Sequence, residues 1–167
     1  MEKELTDDDP GIIRKLHELL TARGLRVSVA ESCTGGLISS YLTLLPGSSG
    51  FFEAGVVSYS AASKIRILGL SEETIASHGV VSKETATEMA YRIRLLTGTD
   101  YGLSITGNLG PDLIEGKDMG LVYMGLSSRI KTASKEMNLT GTRMLNRKEA
   151  ARLSLQFLFE ELSGKGS

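Results

Sequence analysis

Helix-spaced and strand-length apolar blocks alternate along this chain. Ile12, Ile13, Leu16, Leu19 and Leu20 share one face of a helix that Gly24 closes, with Asp9 as N-cap and Pro10 in the first turn. Leu25 to Ala30 has the length of a buried strand, and Leu37, Ile38, Tyr41, Leu42 and Leu45 return to helical spacing until Pro46-Gly47 stops them. Phe51 to Tyr59, rich in aromatic and β-branched residues, predicts a second strand. Lys64, Ile65, Leu68 and Leu70 predict a short helix, and Ser71 followed by Glu72 and Glu73 opens another that ends at Gly79. Ser82 caps a helix from about Lys83 to Thr97, whose stripe is Ala86, Met89, Ala90, Ile93 and Leu96. Tyr101 to Thr106 reads as an interior strand, broken by the loop formers Gly107 to Asp112. Gly120 to Leu126 and Ile130 to Leu139 predict a hairpin, the second strand alternating more clearly and so placed at an exposed edge. Asn146 caps a final helix built on Ala150, Leu153, Leu155, Phe157, Leu158 and Leu162, before a frayed tail, Gly164 to Ser167.

This order predicts an α/β fold: a three-layer α/β/α sandwich, with a mixed, mostly parallel sheet of about five strands covered by helices on both faces. One domain spans 1–167, with its core at about 11–162. The ligand site of such a sheet lies outside the carboxyl ends of its strands, where the loops beginning at Glu31, Tyr59 and Gly107 converge.

Composition narrows the function. A formal net charge of −1 on 167 residues leaves no basic field for nucleic acid. Cys33 is the one cysteine, so an intramolecular disulfide is impossible and no zinc-ligand spacing exists. Asp112, Glu115 and Asp118 fit no calcium-loop pattern, so no metal is expected. The amino terminus is acidic where a signal peptide would be basic and then apolar, and no apolar run reaches membrane-spanning length. The expectation is a soluble, cytoplasmic protein that does not engage a membrane. Phe51, Phe52 and the hairpin edge at Ile130 are where a homo-oligomer, an isologous dimer, would form, although core burial accounts for them equally well.

The chemistry concentrates at Glu31-Ser32-Cys33-Thr34-Gly35-Gly36, where a strand's carboxyl end meets a helix start. Such a turn offers free N–H groups, the positive end of a helix dipole, and glycines that let charged atoms approach the main chain. Alone, Ser32 is a cap or ligand contact, Tyr59 a packed aromatic and Lys64 a solvated helix residue. Cys33 is a rival nucleophile, since a helix N-terminus lowers a thiol pKa, or else a small buried residue. His17 and His78 serve packing or capping.

These segments resemble the C-terminal domain of competence/damage-inducible protein CinA, a family that includes nicotinamide-nucleotide amidases. The matching pieces are Ala30 to Gly36, Pro46-Gly47-Ser48-Ser49, Gly55 to Ser60 with Lys64 and Leu68-Gly69, His78 to Ser82, and Thr106-Gly107 with Gly110-Pro111. The resemblance runs from about Gly11 to Leu162. It implies a mixed α/β/α sandwich and hydrolysis of the carboxamide of nicotinamide mononucleotide to nicotinic acid mononucleotide and ammonia, with no metal or cofactor. The segment 108–119 departs from the family pattern: Asn108 and Leu109 replace small or aliphatic residues and a second glycine pair is missing.

For that reaction Ser32 is the expected nucleophile, Lys64 aided by Tyr59 manages protons, and main-chain N–H groups near Cys33 to Gly36 receive the oxyanion, with Thr34, Gly35 and Gly36 among the substrate contacts. Ser48, with Ser49, is a phosphate contact or an ordinary turn; Thr106 and Asn108 suit ribose or carboxamide hydrogen bonds or simple turn chemistry. Arg143 or Arg147 neutralises the phosphate, or either is a surface charge. The rival expectation, raised by the altered loop, is an inactive nucleotide-binding or interaction module of the same fold.

Overall fold

The computed structural model describes residues 10–164. The expected cap at Asp9 and the tail beyond Gly164 lie outside the described residues. The elements run α1 (Pro10–Arg23), β1 (Val27–Glu31), α2 (Leu37–Leu42), a 3-10 turn (Ser48–Gly50), β2 (Phe52–Val57), α3 (Ala61–Arg66), α4 (Glu72–His78), α5 (Lys83–Thr97), β3 (Tyr101–Gly107), β4 (Leu121–Ser127), β5 (Thr132–Asn138) and α6 (Arg143–Leu162).

The five strands form one sheet in the order β2-β1-β3-β4-β5. β1 pairs in parallel with β2 and β3, whereas β3 with β4 and β4 with β5 are antiparallel. Four strands therefore point the same way and only β4 opposes them. The predicted hairpin is β4–β5, and β5, exposed or half-buried throughout, does occupy an edge.

Alternation along β1 assigns its two faces. Val27 and Val29 join Leu103, Ile105, Val122 and Met124 in the main core, packed against Leu16 and Leu20 of α1, Ile38 of α2 and Leu155 and Leu158 of α6. Ala30 points the other way, toward Met89 and Ile93 of α5. That face is built from small residues because α5 lies close upon it. A Cβ on Gly102 would sit 2.2 Å from the Ala90 carbonyl oxygen and one on Gly125 would sit 2.3 Å from that of Ala86. Ser104 Oγ donates to the Ala86 carbonyl across 2.5 Å, which satisfies that hydroxyl.

Caps follow sequence where the signal is local. Ser82 Oγ accepts the N–H of Thr85 and Ser71 Oγ that of Glu73, as read from the chain. The last helix is a correction: it starts at Arg143 with Thr142 as N-cap, four residues before Asn146. Asn146 is buried within the first turns and its Oδ1 accepts the Gly141 N–H instead. The short third helix likewise starts earlier than the apolar pattern implied, with Ser60 and Ser63 forming a reciprocal capping box.

Phe51 is 1 % exposed and meets the His17 ring edge-on at 5.1 Å, so core packing claims it and removes it from any contact between copies. Ile130, by contrast, is 92 % exposed in the β4–β5 turn. No helix among the described residues is long and apolar enough to cross a membrane.

Candidate active site

After β1 the chain goes out to β2 on one side, and it later returns to β3 on the other. The carboxyl ends of β1 and β3 therefore diverge at a switch point, and a crevice opens there. A hollow of about 70 Å³ occupies it, lined by Ser32 and Cys33 after β1, Tyr59 after β2, Thr106 and Gly107 at the end of β3, Val80 and Val81 before α5, and Leu109, Ile114 and Arg143. The three loops expected to converge do so.

Ser32 is fixed from behind by its N–H, which donates to the Ile105 carbonyl at 3.1 Å. Its hydroxyl meets Lys64 Nζ at 2.9 Å. Lys64 is entirely buried, because α3 lies directly after β2 and directs the side chain back under the turn that carries Ser32. Nζ also donates to the carbonyls of Ser58 at 2.8 Å and Tyr59 at 3.5 Å. No carboxylate bonds it among the described residues. Burial is the leading reason its pKa falls from 10.5 to about 8. The same burial drives the Cys33 thiol up to about 12, so this cysteine is a protonated, inert packing residue at neutral pH.

The turn itself is anchored by Glu31, whose carboxylate is fully buried and takes five donors. Oε2 accepts from Thr34 Oγ1 at 2.6 Å, Gly36 N–H at 3.0 Å and Ile38 N–H at 3.1 Å, and Oε1 accepts from the N–H and hydroxyl of Ser39, both at 2.8 Å. An acid at the positive end of α2 satisfies donors that otherwise have no helical partner. This removes two of the expected N–H donors, those of Gly35 and Gly36, and the Thr34 hydroxyl. The Thr34 side chain and the Gly36 N–H are spent on Glu31, and the Gly35 N–H goes to the Ser32 carbonyl at 3.1 Å. The donors of this turn that no carbonyl or carboxylate takes, among the described residues, are the N–H groups of Cys33 and Thr34.

Tyr59 reaches the hollow but not the amine: its hydroxyl accepts from Arg143 Nη2 at 2.9 Å. Arg143 Nη1 donates to the Gly110 carbonyl, so this guanidinium sits at the mouth with neutral partners. Arg147, one turn along α6, donates through Nε to the Thr34 carbonyl at 2.7 Å and braces the nucleophile turn from below.

Two expected contacts are withdrawn and one is reduced. Ser48 precedes β2 and so lies at the amino end of the parallel strands, roughly one strand length, about 15 Å, from the hollow. Asn108 is 1 % exposed and bonds its own loop: Nδ2 donates to the carbonyls of Asp112 at 2.8 Å and Lys117 at 3.1 Å, and Oδ1 accepts the Gly110 N–H at 2.9 Å. Thr106 lines the hollow, but its hydroxyl donates to the Val80 carbonyl at 2.6 Å.

Glu115 was read from sequence only as one of three loop acids. Its carboxylate accepts the N–H of Val80 at 2.9 Å and of Val81 at 3.4 Å. No group of three or more His, Cys, Asp or Glu side chains gathers among the described residues.

Fold and site together define a three-layer α/β protein with a buried serine–lysine pair at the carboxyl ends of its strands. The chain belongs to the CinA C-terminal domain family, which matches residues 10–162. It is 45% identical over 152 residues to a CinA-like protein of Endomicrobium trichonymphae, covering 89% of this chain and 35% of that one. Against a CinA-like protein of Kosmotoga olearia it is 46% identical over 141 residues, covering 84% and 34%. It thus spans little more than a third of the length of these curated relatives. A competence damage-inducible protein A from Klebsiella pneumoniae has the same fold, with a TM-score of 0.90 and 32% identity over 92% of this chain and 96% of that one.

Proposed function

We propose that the chain is a serine–lysine amidohydrolase acting on the carboxamide of nicotinamide mononucleotide. The carrying observation is the 2.9 Å contact between Ser32 Oγ and a fully buried Lys64 amine that no carboxylate bonds among the described residues. A neutral amine has two N–H groups and one lone pair. The carbonyls of Ser58 and Tyr59 take the two hydrogens, which aims the lone pair at the serine proton.

Ser32 Oγ then attacks the carboxamide carbon as its proton passes to Nζ, and the oxyanion faces the Cys33 and Thr34 N–H groups. The C–N bond breaks as Lys64 returns the proton to the departing nitrogen, releasing ammonia and leaving an ester on Ser32. Neutral once more, Lys64 activates a water that hydrolyses the ester and restores the hydroxyl. Tyr59 and Arg143 stand at the mouth, where a nucleotide's ribose phosphate would lie; among the described residues no carboxylate pairs with the guanidinium. With a pKa of about 8, roughly one Lys64 in ten is neutral at pH 7.

Purified protein incubated with nicotinamide mononucleotide is expected to release ammonia, with kcat/KM rising toward alkaline pH through about pH 8. Ser32→Ala is expected to lose at least about 10³-fold in kcat while keeping its fold by circular dichroism. Equal rates for the two proteins would remove the assignment. The altered loop at 108–119 is the ground for the alternative of a binding module; calorimetric binding of the nucleotide without turnover by the wild-type chain would establish it.

A further inference from the structure

The segment 108–120 is an ordered flap with its own internal wiring. Asn108 ties it to Gly110, Asp112 and Lys117 through its side chain, and to Gly120 and Leu121 through its main chain. Ile114 and Lys117 form an isolated antiparallel bridge near the tip. Met119 packs where a Cβ on Gly110 would otherwise be. Its base is anchored, with Leu109 packed in the main core and the Gly110 carbonyl bonded by Arg143, so the part free to move is the tip beyond Pro111.

The tip crosses the mouth of the hollow. Glu115 has φ 54 and is the one non-glycine residue among those described with a positive φ; Gly116 follows at 71. This backbone delivers Ile114 to the hollow's wall and the Glu115 carboxylate to the main chain on the far side. There Glu115 accepts the N–H groups of Val80 and Val81, just before the N-cap of α5. The receiving segment is itself held, since the Val80 carbonyl takes the Thr106 hydroxyl. Elsewhere the flap shows water much of its surface: Leu113 is 67 % and Met119 46 % exposed. The charge-assisted bonds of Glu115 are therefore a strong local tie in a weakly buried element.

The volume decides what the tie does. About 70 Å³ accepts a carboxamide, but a cavity that holds a six-membered ring needs about 150 Å³. A pyridine ring bearing the amide needs a wall to give way, and Ile114, 38 % exposed at the flap tip beside Glu115, is a wall residue that the Glu115 tie holds in place. We infer that Glu115 is an autoinhibitory latch: it holds the flap shut over the serine–lysine pair, and a ring-borne carboxamide is admitted only when its bonds to Val80 and Val81 break. The inference rests on the amidase reading for its substrate, but the latch itself is a property of the free protein. A latched fraction that cannot bind lowers apparent affinity by the open fraction alone.

Glu115→Ala, at an exposed loop tip, is expected to fold normally and to lower KM for nicotinamide mononucleotide by about tenfold with kcat within about twofold, because only the closed free form is lost. Glu115→Gln keeps one acceptor for Val80 and is expected to fall between. Hydrogen exchange at the Val80 and Val81 amides is expected to speed up by at least about tenfold in Glu115→Ala while β1 and β3 amides stay unchanged. A KM that is unchanged or raised, or unaltered exchange at Val80 and Val81, overturns the latch. If the wild-type protein releases no ammonia, the amidase reading is what fails, and exchange at those two amides still decides the latch.

Discussion

Adjacent residues on one turn receive opposite chemical fates from burial. Ser32 and Cys33 are each 7 % exposed, yet only Ser32 Oγ lies within hydrogen-bonding distance of the Lys64 amine. Burial disfavours charge on either partner. For lysine it makes the neutral base accessible, bringing the pKa to about 8, and for cysteine it withholds the thiolate, pushing the pKa to about 12. Intrinsic thiol reactivity therefore loses to the absence of ionisation. Cys33→Ala is expected to keep kcat within about threefold and to cost about 1 kcal/mol of stability, the ordinary effect of trimming a small buried side chain. Alkylating reagents at neutral pH are expected to leave activity intact in the wild-type protein. A loss above about 100-fold in Cys33→Ala, read as ammonia release, would transfer the nucleophile to sulfur.

At the scale of elements, α2 shows how a two-turn helix is made to hold a site. Six residues with no side-chain cap from Gly36 do not sustain a helix on propensity. The Glu31 carboxylate supplies the missing acceptors from the end of β1, and the turn between is locked as a result. Glu31→Gln puts an amide N–H₂ where donors already point, and is expected to cost about 2–4 kcal/mol, a drop of roughly 5–15 °C in Tm, with a parallel loss in kcat. Denaturant unfolding checks it, and a change below about 0.5 kcal/mol would show that the helix does not depend on the carboxylate. This also marks what the sequence made legible. Elements fixed by local spacing and caps, such as Lys83–Thr97 with Ser82, emerge with their boundaries. Ser32 was legible because it follows β1 directly, at the carboxyl end of a strand, whereas Lys64, four residues into α3, reads alone as a solvated helix residue and stood out only through the family resemblance. Asn108 and Glu115 were not legible, because what they bond is main chain from 2 to 35 residues away, and main-chain positions carry no side-chain signature. The cap at Thr142 was missed for a related reason: Asn146 is an equally good capping type, and the choice depends on where the chain leaves β5.

For the molecule as a whole, the sheet's order separates its two ends. Divergence of β1 and β3 creates the hollow at the carboxyl end, while the Ser48 turn is confined to the other end against α1, where His17 Nε2 donates to the Pro46 carbonyl across 2.9 Å. Burying an amine beneath that hollow has a global consequence. The folded-state pKa of Lys64, about 8, lies below the ordinary 10.5, so between these values the unfolded chain binds the extra proton and the folded chain does not. Stability then rises with pH through this window. Below it both states are charged, and the full penalty for a buried ammonium is present; above it both are neutral, and the penalty is gone. Taken over the whole window this amounts to about 3 kcal/mol. Lys64→Met removes the titration with a side chain one heavy atom shorter, and groups common to both proteins cancel in the difference. The stability of the wild type minus that of Lys64→Met, from denaturant midpoints, is therefore expected to grow by about 3 kcal/mol from about pH 7 to about pH 11. A difference flat across that range would mean that Lys64 keeps its ordinary pKa in the folded protein, leaving too little neutral amine at neutral pH to deprotonate Ser32.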